Sequence, residues 1–280
     1  MKNDRQIATV VILIISTFII GIFFGYKLSM YRGDPGSRSA ASQSSTPASA
    51  SSELTSGATT VTETSASSSE ESTVEDCFNY LAIGNSITRH APTDFWWNNV
   101  GMAASDIEHD YYHIVLKHLE EKFGNVNGVI LNLSVWEYES GDRTGTLDHY
   151  LQPFLNPDLD LITIMLGENV DDIETYQEDY VALLKYIRSK APNARILVVG
   201  DFWIVDGRDE MEFNACALTD AEYVSLEGIA GNEEYYCGIG TTVYDEDGDE
   251  HIVEHDGVAM HPGDAGMAAI AERIIAAIDN

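Results

Sequence analysis

Four short apolar runs, separated by helical patterns and each ending at a polar or glycine-bearing turn, constrain this chain most. They are residues 77–83 (CFNYLAI), 129–133 (VILNL), 159–166 (LDLITIML) and 195–200 (RILVVG). Their apolar residues are largely consecutive instead of alternating with polar ones, so both faces of each strand must be covered. Residues 110–123 and 173–189 carry apolar side chains at three- and four-residue spacing. The first stretch stops at Gly124 and the second is followed by Ala191-Pro192, which marks both as helices. This alternation predicts an α/β fold, a three-layer α/β/α sandwich with a mainly parallel central sheet. Functional groups in such a fold collect at the carboxyl ends of the strands. Short helices are expected over 146–155 and 219–229. A hairpin is expected between 235–243 and 251–253, and a terminal amphipathic helix over 263–278.

The predicted domain begins near Val74. Ahead of it, residues 7–26 (IATVVILIISTFIIGIFFGY) carry no charge. Twenty residues at ~1.5 Å each span a hydrocarbon core of about 30 Å. No small-x-small cleavage site follows, which favours an uncleaved signal anchor over a cleaved signal peptide. Residues 1–6 are then a cytoplasmic tail. Lys2 and Arg5 precede the segment and Lys27, Arg32 and Arg38 follow it, so flanking charge does not set its orientation. Residues 27–73, rich in Ser, Thr and Ala, lack the apolar content to build a core and suit an extended, disordered tether. Together these features predict a single-pass protein of the cell membrane with its domain, 74–280, outside the cell.

From Val74 onward there are 10 Lys plus Arg against 40 Asp plus Glu, so nearly all of the net charge of −31 belongs to the domain. Such a field repels phosphate backbones and argues against nucleic acid as a partner. The three cysteines, Cys77, Cys216 and Cys237, form no CxxC pair. Outside the cell, Cys216 and Cys237 either bridge or remain separate buried thiols.

Three of the strand ends carry residue types suited to acyl transfer. The first runs into Gly84-Asn85-Ser86-Ile87-Thr88. The second ends near Asn132 and continues to Trp136-Glu137. The third runs into Gly167-Glu168-Asn169. A fourth segment, 256–267 (DGVAMHPGDAGM), precedes the last helix. Ser, Asn and His converging on one cleft are the parts of a nucleophilic site, because a Ser hydroxyl needs a base and the tetrahedral oxyanion needs donors.

These blocks, in this order, resemble those of the SGNH (GDSL-like) serine hydrolases, and the resemblance runs from Tyr80 to Ile278. GNSIT is similar to the nucleophile block, GEN to the block with the oxyanion asparagine, and HPGDAGM to the terminal histidine block. The resemblance implies a flavodoxin-like SGNH fold and ester cleavage without a cofactor. It assigns Ser86 as nucleophile and His261 as general base. The oxyanion donors it implies are the Ser86 N–H, the Asn169 side chain and, at the position of a family glycine, the Glu137 backbone. The chain departs from the pattern at Asn85, where Asp is usual, and at Val170 after the GEN run. Val258 stands where the family's acid stands, three residues before the histidine. Asp256 is the expected acid; Glu254, or a carbonyl in place of any acid, is the alternative.

Taken singly, Ser86, Asn169 and His261 also read as helix caps or loop residues. Trp96 and Trp97 read equally as a platform for a sugar ring or as core beneath a loop, with Trp97 the substrate-binding candidate and Trp136 beside it in the cleft. The acidic turn 245–250 lacks glycine at its sixth position and so does not fit a calcium loop. The spacings of His251, His255, Asp256 and His261 fit no zinc pattern, and no metal is expected. Two functions follow: a surface-anchored serine esterase acting on an ester, with O-acetylated carbohydrate as candidate substrate, or a non-catalytic carbohydrate-binding domain on the same scaffold.

Overall fold

The computed structural model describes residues 77–138 and 143–280. The expected tail, membrane anchor and tether over 1–73 lie outside the described residues. Among the described residues, no helix is long and apolar enough to cross a membrane. The chain divides into two units after Ser69, and every described residue falls in the second.

Five parallel strands form one sheet in the order β2-β1-β3-β4-β5. They are β1 (Phe78–Gly84), β2 (Val126–Asn132), β3 (Leu161–Met165), β4 (Arg195–Val199) and β5 (Glu222–Val224). Successive side chains of a strand point to opposite faces. Tyr80 and Ala82 enter one core, while Leu81 and Ile83 enter the other. Helices α1 (Tyr111–Phe123) and α6 (Asp264–Asp279) pack together on the first face. Helices α3 (Tyr176–Lys190) and α4 (Arg208–Ala217) pack together on the second. This is the expected three-layer sandwich. Each fully buried Leu or Ile side chain of these strands contributes roughly 1.5–3 kcal/mol, so the consecutive apolar runs drive the layering.

Helix α1 starts where Asp110 caps it, its carboxylate accepting from the His113 N–H at 2.7 Å, and stops at Gly124, whose φ is +82°. A short helix α2 (Ser134–Tyr138) follows β2 directly. The helix expected over 146–155 is a tightly irregular segment, with a π turn over Leu147–Leu151 and a 3-10 turn over Gln152–Phe154.

The helix expected over 219–229 is not formed. Helix α4 lies earlier, and Glu222–Val224 is the fifth strand, paired with β4. Tertiary pairing overrides local propensity there, because the open edge of β4 needs a partner for its backbone. The hairpin is present but shorter than expected, β6 (Thr242–Tyr244) against β7 (Glu250–Ile252). Cys216 and Cys237 are both free: Cys216 lies in the core of the second face, whereas Cys237 packs against the core of the first. The sheet separates them.

Candidate active site

The register of the sheet places three strand ends side by side. Gly84 at the end of β1 pairs with Asn132 of β2 on one flank and with Met165 of β3 on the other. The turns that follow carry Ser86, Glu137 and Asn169 out from this common edge. Gly84 has no room for a side chain, since a Cβ there would run into the Thr88 hydroxyl and the Met165 carbonyl. Gly167, with φ at +149°, would place a Cβ against the Tyr176 hydroxyl.

The Ser86 hydroxyl lies 2.8 Å from Nε2 of His261, which arrives from the opposite end of the chain. His261 follows α5 (Asp256–Ala259), and its Nδ1 lies 2.6 Å from the carbonyl oxygen of Gly257. A carbonyl only accepts, so Nδ1 carries the proton and donates. In the neutral ring Nε2 is then an acceptor, the tautomer that draws the proton from Ser86. Burial above all, helped by the nearby His90 and His255 and opposed by the Gly257 carbonyl contact, lowers the His261 pKa to about 4. The ring is therefore neutral at neutral pH.

Asp256 does not occupy the position expected of it. Its side chain is exposed at the first turn of α5, and the Gly257 carbonyl stands where an acid was sought. The short helix turns its backbone oxygen, not its first side chain, toward the imidazole. Val258 is buried in the core, which leaves no carboxylate at the family's position either.

Glu137 also differs from expectation. Its side chain, not its backbone, defines its place. The carboxylate is buried and receives four N–H groups. Oε1 accepts from Asn85 Nδ2 at 3.0 Å, from the Gly167 N–H at 2.8 Å and from the Asn169 N–H at 3.3 Å; Oε2 accepts from Asn169 Nδ2 at 2.7 Å. Burial pushes its pKa up, and these donors oppose the shift. Asn85 uses both ends of its amide, since its Oδ1 also accepts from the Ile87 N–H at 3.0 Å. The Ser86 N–H has no acceptor among the described residues, which leaves it available to an anion.

The two tryptophans expected at the substrate are placed otherwise. Trp136 is fully buried and packs against Tyr180, with the Arg143 guanidinium over its ring. Trp97 stacks on His251, with ring centres 4.5 Å apart, so one of its faces is taken. A third, Trp203, was not expected. It follows β4, stands edge-on to the His261 ring at 4.9 Å, and donates from its indole N–H to the Met260 carbonyl at 3.1 Å. Its place at the end of the fourth strand was the available signal. Beside it in sequence, Ile204 is 69% exposed.

Glu168, also in the GEN run, is taken up by backbone donors. It accepts from the Phe202 and Trp203 N–H groups and so ties the β3 turn to the β4 turn. The segment 101–105 is fastened beneath the histidine block, because Ser105 bonds Asp264 through both its N–H and its hydroxyl, each at 2.8 Å. No group of side chains suited to a metal occurs among the described residues.

The chain is similar in structure to a two-domain esterase active on acetylated mannans, at 18% identity and a TM-score of 0.48, covering 72% of this chain and 48% of that one. It thus spans about half the length of that esterase. It is similar also to an extracellular lipase from Streptomyces rimosus, at 12% identity and a TM-score of 0.46, covering 71% of this chain and 99% of the lipase. A putative GDSL-like lipase from Parabacteroides merdae matches at 16% identity and a TM-score of 0.46, covering 73% of this chain and 96% of that one. No protein-family model matches the chain, and no curated protein does. These are likenesses of backbone, and no activity passes to this chain through them.

Proposed function

We propose that this protein is a serine esterase working through a Ser86–His261 dyad. The observation that carries the reading is the 2.8 Å contact between the Ser86 hydroxyl and His261 Nε2, with Nδ1 held on the Gly257 carbonyl. His261 takes the proton as the Ser86 oxygen attacks the ester carbonyl carbon. The oxyanion is received by the Ser86 N–H and the Asn169 side-chain amide. His261 then returns the proton to the leaving alkoxide, leaving an acyl-Ser86. Water, deprotonated by the same imidazole, releases the acid. A backbone carbonyl orients the ring, as an acid does in a triad, and supports the imidazolium by its dipole without a full charge.

The proposed substrate is an O-acyl group, with O-acetyl on a neutral carbohydrate the first choice. The acidic surface disfavours anionic polymers. The Trp203 indole beside His261 offers the kind of ring against which sugar C–H faces pack. The test is hydrolysis of p-nitrophenyl acetate and release of acetate from an acetylated mannan by the purified full chain. Ser86→Ala reduces the rate to background, and a fluorophosphonate probe labels Ser86. Equal rates for the variant and parent, or glycan binding with neither turnover nor labelling, would falsify the esterase reading.

A further inference from the structure

Glu137 presents a chemical puzzle. A carboxylate beside a site for a developing oxyanion opposes that charge, yet this one is buried between the turns that carry Ser86 and Asn169. Its surroundings explain it. All four of its hydrogen-bond partners among the described residues are N–H donors, three on Oε1 and one on Oε2. A carboxylate with 2–3 backbone or amide donors is stabilised in its ionised form.

An asparagine amide has two ends of nearly equal shape but opposite hydrogen-bonding character. With Glu137 able only to accept, the Nδ2 end of Asn169 must face it; the reverse placement sets two acceptor oxygens against each other. One Nδ2 proton is thereby used, and the other is held at a fixed angle away from Glu137. The same carboxylate holds Asn85, the residue directly before Ser86. A single side chain thus sets the nucleophile turn and the Asn169 amide in one frame. Asn85, where the resembled family has Asp, fits this arrangement, since an aspartate there would confront Glu137 with a second carboxylate.

We infer that Glu137 is the positioning residue of the oxyanion site, acting through Asn169 and Asn85 without touching the substrate. The inference rests on the esterase reading. It is tested in the full chain by kinetics and by the side-chain amide signal of Asn169 in 15N–1H spectra, identified by its loss in Asn169→Ala.

Glu137→Gln keeps the volume but turns one acceptor into a donor facing N–H groups. The expected result is a kcat on p-nitrophenyl acetate lower by about 10–100-fold, up to the ~10²–10³ range of a lost oxyanion donor. KM stays within about 2-fold. In the Asn169→Ala background the same change costs clearly less than in the parent, because the Asn169 amide it positions is already gone and only its hold on Asn85 remains to be lost. The Asn169 amide signal, shifted downfield in the parent by its carboxylate partner, moves upfield. Where Glu137→Gln does not fold, Glu137→Asp, one methylene shorter, gives the same readouts. An unchanged kcat, an unchanged amide signal, or a full loss repeated in the Asn169→Ala background overturns the inference while parent activity stands. A parent without turnover overturns the esterase reading itself, and this inference with it.

Discussion

The Nδ1 atom of His261 and the carbonyl oxygen of Gly257 lie 2.6 Å apart, and this contact stands where a serine hydrolase of the usual kind has a carboxylate. Asp256, one residue before that glycine, is exposed. Asp256→Asn is therefore expected to leave kcat/KM within about 2-fold of the parent. Replacing the acid of a true triad costs ~10⁴ in kcat. A fall beyond 100-fold in steady-state hydrolysis would return Asp256 to the mechanism.

The same environment sets the pH profile. Burial disfavours the charged imidazole and lowers the His261 pKa to about 4. The neutral, base-competent form therefore persists well below the ordinary histidine range near 6.5. The acid limb of kcat/KM is expected near pH 4, with a plateau through neutrality. A limb centred between pH 6 and 7 would contradict this placement of the ring.

Asn85→Asp sets a second carboxylate against Glu137 in a fully buried position. An uncompensated buried charge costs roughly 3–5 kcal/mol. For a domain of this size that lowers Tm by roughly 6–20 °C at pH 8. The deficit shrinks at pH 5, where the pair shares a proton. A Tm deficit against the parent that is the same at the two pH values would count against the mutual contact.

Trp203→Ala removes the indole standing against the His261 ring and frees the Met260 carbonyl it holds. About a 10-fold loss in kcat/KM is expected, because the imidazole loses one wall. Trp97→Ala, which unstacks His251 instead, is expected to change kcat/KM by less than about 3-fold. If Trp97→Ala is the more damaging of the two, the sugar-platform expectation for Trp97 regains its place.

Glu212 is buried on α4 beside Tyr176, whose hydroxyl donates to Oε1 at 2.5 Å, while Oε2 has no partner among the described residues. Burial raises its pKa well above the ordinary value, and Asp201 raises it further. The folded state holds a proton that the unfolded chain releases above about pH 4.3. This contribution to stability is full below that pH and is lost as pH rises toward the folded pKa, by roughly 1.4 kcal/mol per unit. Glu212→Gln mimics the protonated form and is expected to flatten the decline in Tm between pH 5 and pH 8. An unchanged slope argues for an ionised Glu212.

Much of the fold was readable because its strands are buried on both faces, which makes them continuous apolar runs. The positions of Ser86, Asn169 and His261, and the meeting of Ser86 with His261, were readable because each sits at a fixed offset from a strand end or a helix start. The errors share a physical cause. Glu222–Val224 is too short to carry a pattern of its own, and pairing with β4 makes it a strand. The partner of His261 is a backbone oxygen, which no residue type announces. Glu137 and Trp136 were placed on the correct turn, but only packing decides which way adjacent side chains point. There Glu137 turns to the strand ends and Trp136 into the second core. Trp203 lies beyond the apolar run RILVVG, in a turn where no local pattern marks which side chain faces the site.

The sheet that parts Cys216 from Cys237 bears on how the protein can be produced. A fold held by two apolar layers and no crosslink among its three thiols places no demand on the redox state of the compartment in which it forms. The second unit should therefore reach the same structure in a reducing bacterial cytosol as in an oxidising exterior. Its melting temperature should be indifferent to dithiothreitol.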